Sequence, residues 1–324
     1  MTRIRGPMAE EYRSLLQSIV RDVESLDSDT LVRIAPVIAR AQQETERALR
    51  AWLARQDGEE RFTTQKYRNA LLQLREAGDA IGRIRPELEK TIRQGTSRAG
   101  ILATKHIERS LLHFGDIFEG TVQPVALDSA VIMSRADNLL VSHYRASLRR
   151  YDSWARERLA LELATGKIRG ESIEQLGNRL ERSIPEVFTG MRRRAHLVAR
   201  TEVMNGYNEI HKQGLHEAQE SLDVELLMRW DSAMDHRRCP RCAALDGAVV
   251  ALDGEFKAEW KELRAGKPVT FTSTHSRPPA HPNCRCVLVP WAKEWGDLPG
   301  MTKNPKPPET ARVERSPWTQ ESRS

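Results

Sequence analysis

The stretch "HRRCPRCAALDG", residues 236–247, decides how the C-terminal third of this chain is read. Cys239 and Cys242 stand at the C-x2-C spacing that lets two thiolates of one tight turn face one ion. The other two cysteines, Cys284 and Cys286, fall in "PPAHPNCRC", residues 278–286, just after His281. His281 and Cys284 repeat the two-residue gap. Cys284 and Cys286 share a side only on extended backbone, and Arg285 then points away. A structural zinc takes four ligands, commonly four cysteines or three cysteines and one histidine. Five candidates therefore compete for four places. Cys239, Cys242 and Cys284 come first, followed by either His281 or Cys286. Arg237, Arg238 and Arg241 beside the first pair would favour its thiolate forms. A set of reduced free thiols is the bland alternative, and the confinement of all four cysteines to two turn-like clusters favours metal.

A catalytic zinc would keep one place open and set a carboxylate base beside it. Asp231, Asp235 and Asp246 are near enough in sequence to serve. Against this, the chain lacks H-E-x-x-H and lacks the H-x-E partner that zinc deaminases pair with P-C-x-x-C. Asp246-Gly247 is also an ordinary turn signal. The constellation reads as a closed structural zinc, standing in for the core that a module of roughly 70 residues cannot easily build alone.

Working outward, the 324 residues suffice for a substantial core, which must be mostly aliphatic because aromatics are only 6% while charged residues reach 30%. The composition favours helices. No apolar run approaches the ~20 residues needed to cross a bilayer. The start, "MTRIRGPMAEEYRSLL", lacks the apolar core of a signal peptide, so the expectation is a protein made in a cytoplasm. Without that signal, four cysteines do not suggest a disulfide framework. The net charge of +6 concentrates in residues 140–199, with twelve basic and seven acidic side chains. Arg149, Arg150, Arg192, Arg193 and Arg194 there are candidates for contacting DNA, against the plainer reading of a solvated helical face.

Period-3.6 patterning predicts helices over 8–26 and 30–56, with Pro36 in the early turns. It resumes through "YRNALLQLREAGDAIG" and again from Pro86 to about Phe118. The longest pattern, 128–165, ends at Gly166. A short helix "ESIEQLGNRLERSI" follows, Pro185 interrupts, and another long helix runs to about Glu220. "VELLMRW", "GAVVALDG", "KPVTFTST" and "CRCVLVPW" are strand candidates, and "EFKAEWKELRAG" reads as a helical turn or loop. The expected fold class is mainly α: a long-helix bundle or stalk, then a small α+β zinc-stapled module and a disordered tail. The corresponding regions are 1–127, 128–222, 223–296 and a Pro-rich 297–324.

Three blocks in order, "ARTEVMNGYNEIHKQG", "RWDSAMDHRRCPRCAALDG" and "PPAHPNCRCVLVP", resemble the phage head morphogenesis family, the minor head proteins that include the Mu F-like proteins. The resemblance covers about residues 140–291. It implies a minor capsid protein of a tailed phage or prophage that resides in the virion head near the portal. Partners implied are the portal protein and procapsid components, with a part in head assembly or genome delivery and, in some phages, a link to DNA. The family is not generally enzymatic, and no membrane or small-molecule partner is implied. The tail after 297 is too short and polar for the toxin domain some relatives carry. Arg200, Thr201, Glu202 and Asn205, with Trp230, Asp231 and Asp235, form an expected interface or buried polar clamp. Thr201, Asn205 and Asn208 share one helical face. The letters R-T-E alone do not support an ADP-ribosyltransferase. The rival classes are a zinc-dependent nuclease or hydrolase using His281 or Asp235, and a DNA-binding protein using the basic helices.

Overall fold

The computed structural model describes residues 6–56, 61–117, 154–155, 157–222, 225–232 and 238–292. Arg149, Arg150, Arg237, Asp235, most of the 128–165 helix pattern and the 297–324 tail lie outside the described residues. Three long helices dominate: α1 (Gly6–Leu53), α2 (Thr64–Ile117) and α4 (Ile173–Leu222). A further helix, α3, runs over the described residues 157–169 and precedes α4. The sequence reading broke α1 near residue 27, α2 near residue 86 and α4 at residue 185, and each break is corrected here. Pro36, Pro86 and Pro185 all sit inside continuous helices. Each proline is exposed, and buried aliphatics flank it: Ile34 and Val37, Ile84 and Leu88, Ile184 and Val187. A proline deletes one backbone hydrogen bond, and apolar packing on either side outweighs that loss. Gly166 does not end α3 either. The helix runs to residue 169, and Gly170 takes the left-handed conformation at φ 65°. The start of α4 carries a reciprocal cap in which Ser172 Oγ accepts from Gln175 N–H and Gln175 Oε1 accepts from Ser172 N–H.

The chain forms two compact units from discontinuous pieces. One comprises residues 25–98 and 134–203. Its core joins Ile34, Ile38 and Trp52 of α1, Ala70, Leu88 and Ile92 of α2, Leu159 and Leu163 of α3, and Leu180, Phe188 and Met191 of α4. Within it, a Cβ on Gly95 would stand 2.7 Å from Thr30 Oγ1 and 3.1 Å from Val203 Cγ2, so a side chain there would collide.

The other unit comprises residues 1–24, 99–133 and 204–324. Buried helical residues in it include Ile19, Val23, Ala103, Ile107, Tyr207 and Ile210. Its strands are β1 (Leu226–Asp231), β2 (Val249–Ala251), β3 (Phe256–Arg264), β4 (Lys267–His275) and β5 (Val287–Ala292). They make an antiparallel sheet ordered β2-β1-β5 and a separate β3-β4 hairpin. Strand β3 corrects the reading of "EFKAEWKELRAG" as a helical turn or loop. Phe256, Ala258 and Trp260 are buried while Lys257, Glu259 and Lys261 are exposed, the period of two that a half-buried strand requires. Ala265 at φ 49° and Gly266 at φ 78° close the hairpin with the two left-handed residues of a tight turn.

Candidate metal centre

Two knuckles of the sheet-bearing unit bring the cysteines together. The first is the N-terminus of α5 (Pro240–Leu245), where Cys239 is the N-cap and its sulfur accepts the Cys242 N–H at 3.3 Å. Pro240 at the first helical positions has no N–H to leave unpaired. The second is His281-Pro-Asn-Cys284. Asn283 adopts φ 66°, a conformation Asn tolerates, and Cys284 N–H closes the turn onto His281 C=O at 3.1 Å. Across the knuckles, His281 Nε2 lies 3.1 Å from both Cys239 Sγ and Cys242 Sγ. Cys242 Sγ is 3.8 Å from Cys284 Sγ. The donor atoms of Cys242, Cys284 and Cys286 form a second close triad that shares Cys242 with the first.

The donor atoms of this cluster share protons through short contacts. Hydrogen bonds from Cys242 and then His281 hold the Cys239 thiol down at about 4. Hydrogen bonds from Cys242 and Cys286 hold Cys284 well below the ordinary thiol value. Cys242, donating to those sulfurs, is pushed up. Cys286, although Cys242 donates toward it, is pushed well above by its bond to Cys284 and by burial. Burial alone would depress His281, yet the hydrogen bond to Cys239 and the charges of Cys239 and Cys284 lift it to about 9. Neighbouring sulfurs so close cannot all ionise without a cation. A soft divalent ion that displaces the protons on Cys242 and His281 Nε2 suits this donor set. Zinc–sulfur bonds of ~2.3 Å at a tetrahedral angle put sulfurs about 3.8 Å apart, the Cys242–Cys284 spacing. His281 Nδ1 donates to Pro282 C=O at 2.7 Å, which orients the ring with Nε2 toward the sulfurs, as a ligating histidine requires.

Of the three arginines expected to favour the thiolates, Arg237 lies outside the described residues, and Arg238 and Arg241 are engaged elsewhere. The Arg238 guanidinium donates to Asp246 Oδ2 at 3.3 Å in a buried ion pair, and the Asp246 carboxylate also accepts from Ser232 N–H and Oγ–H. Arg241 lies 4.7 Å over the Trp260 ring and donates to Ala280 C=O, tying the first knuckle to β3 and to the second knuckle. The thiolates draw their stabilisation from hydrogen bonds instead. Arg285 does point away, donating to Glu24 at 3.1 Å.

The polar residues on α4 divide. Arg200 donates to Asp27 at 2.6 Å, and Thr201 bonds back to Leu197 C=O. Glu202 is buried. In the sheet-bearing unit, Asn205 Oδ1 accepts from Arg277 at 2.5 Å, and the same guanidinium pairs with Glu209 one turn on at 2.6 Å. Asn208 donates to Cys286 C=O at 3.1 Å and accepts from Leu288 N–H at 2.7 Å, seaming α4 to the entry of β5. Trp230 and Asp231 are buried in β1. Arg192 and Arg193 are exposed on α4, with Arg194 half-buried. The sequence did not point to Arg277, Glu209 or the Arg238–Asp246 pair, whose partners lie in other elements. Trp260 stacked on Phe271 was legible only once β3 was read as a strand.

With this geometry in view, comparison with known families finds one match: the Phage Mu protein F like protein family, over residues 157–289. Residues 157–289 are thus similar to the Mu F-like proteins. The Mu F-like segment opens with α3, ends inside β5 and contains all five candidate ligands and the Asn208 seam. No curated protein and no solved structure matches the chain. That likeness points to phage head morphogenesis.

Proposed function

We propose that the chain is a minor head protein of a tailed phage or prophage, a virion component that docks at the portal and procapsid and aids head assembly or genome delivery. The observation that carries this reading is the Mu F-like match over 157–289, which encloses the whole Cys/His cluster. Zinc in that cluster serves architecture. It holds together two knuckles that Arg241 also ties through Ala280 C=O, and the second knuckle leads through Cys286, whose C=O Asn208 binds, into β5. The exposed Arg192 and Arg193, with Arg149 and Arg150, would meet packaged DNA. Protein inventory of purified procapsids and mature heads tests the assignment. Presence in few copies is the expected result, and absence from both particles overturns it.

The hydrolase alternative finds less support. Five donors crowd four places, and Asp246, four residues past Cys242, already serves Ser232 and Arg238. Nuclease assay of the zinc-loaded protein should show no activity that His281→Ala removes.

A further inference from the structure

We propose that Cys239, Cys242, His281 and Cys284 hold the metal and that Cys286 stands outside it as a buried thiol. The assignment rests on the structural-metal reading above and settles the competition of five donors for four places.

The two knuckles are alike in construction, and Cys286 belongs to neither. Each presents donors three residues apart on a closed turn, Cys239 with Cys242 and His281 with Cys284. Each turn is closed by a backbone N–H of its second donor: Cys242 N–H onto the Cys239 sulfur, and Cys284 N–H onto His281 C=O. Such closure fixes the directions of both donors of a knuckle. His281 meets both sulfurs of the opposite knuckle at 3.1 Å, and its Nδ1 is engaged by Pro282, so Nε2 is the atom committed to the cluster.

Cys286 is committed elsewhere. Its backbone N–H is directed to Cys284, its C=O is held by Asn208, and the next residue enters β5. The residue is 2% exposed, and its sulfur faces the indole N–H of Trp230, which no acceptor meets at full hydrogen-bond geometry. It does lie close to Cys242 and Cys284, so proximity alone does not exclude it. What separates it is its place outside the knuckle and its anchoring in the β1–β5 layer, where a thiol packs as a small apolar group.

The test uses the full chain loaded with cobalt(II) in place of zinc, read by its visible d–d bands and its near-ultraviolet thiolate-to-cobalt charge transfer. Wild type should bind one cobalt with the charge transfer of three thiolates. X-ray absorption of the zinc-loaded wild type, which needs no variant, should count three sulfurs and one imidazole. Cys286→Ser and Cys286→Ala should keep both the stoichiometry and the spectrum. Cys284→Ser should lose about a third of the charge transfer, one sulfur of three, and weaken binding by at least ~100-fold. Four sulfurs around zinc, or a Cys286→Ser spectrum that loses thiolate intensity while His281→Ala keeps it, overturns the assignment and leaves the structural metal standing. A wild-type chain that takes up neither cobalt nor zinc overturns both.

Discussion

His211 lies fully buried on α4, stacked on Tyr207 at 5.5 Å between centroids, and neither ring nitrogen has a hydrogen-bond partner among the described residues. Burial first, and then the charge of His106, hold its imidazole down at about 3. His106 bridges Tyr207 Oη–H and Asp22, with Arg109 also near Asp22, and burial keeps it below its ordinary value. Both histidines fold as neutral rings, while the unfolded chain binds protons below about pH 6.5. Stability is therefore full above that pH and falls as pH drops from 6.5 toward 3. His211→Phe should flatten the acid limb of a urea-midpoint-versus-pH profile, and an unchanged limb would show that His211 does not titrate with unfolding. Asn208 carries a second single-residue expectation. Asn208→Ala leaves Cys286 C=O and Leu288 N–H unpaired in a buried place and should cost about 2–4 kcal/mol by denaturant titration.

At the scale of elements, α1, α2 and α4 each tolerate an interior proline because the buried side chains around it, not local propensity, determine the helix. Pro36→Ala restores a backbone hydrogen bond on the exposed side and should raise the melting temperature. Gly95→Val drives a branched side chain into Thr30 and Val203 and should destabilise by roughly 1–3 kcal/mol or more, since overpacking forces backbone shifts. Chelation tests the knuckles: stripping metal should red-shift the fluorescence of Trp230 and Trp260, which line the sheet and hairpin. The sequence made the two knuckles, four of five strands and the helical character of the rest legible, because ligand spacing and hydrophobic period are local signals. It concealed helix continuity, since proline and Asp/Ser/Thr clusters imitate ends wherever packing is invisible. It concealed β3 because Lys, Ala, Glu and Leu carry helix propensity, and only the alternation of Phe256, Ala258 and Trp260 spoke for a strand. Arg277 and Asp246 acquire meaning from partners that no spacing rule connects.

For the molecule as a whole, the matched family segment is not a self-sufficient piece. The unit that holds the metal centre also takes residues 1–24 and 99–133, and Asp22 and His106 meet Tyr207 inside it. A fragment spanning 157–292 should be poorly soluble with Tyr207 and Ile210 uncovered, and coexpression with residues 1–117 should restore it; full solubility of the fragment alone would refute this. The same discontinuity bears on synthesis. Tyr207 follows Asp22 by 185 positions, so at the ~5–20 residues per second of a working ribosome the first helix waits roughly 10–40 seconds for its partner. Ile19 and Val23 lack Tyr207 through that interval, Ala103 and Ile107 through about its second half, and the last metal ligand emerges later still. The nascent chain should therefore stay protease-sensitive until residues up to Cys286 have left the exit tunnel, which pulse proteolysis of stalled chains checks.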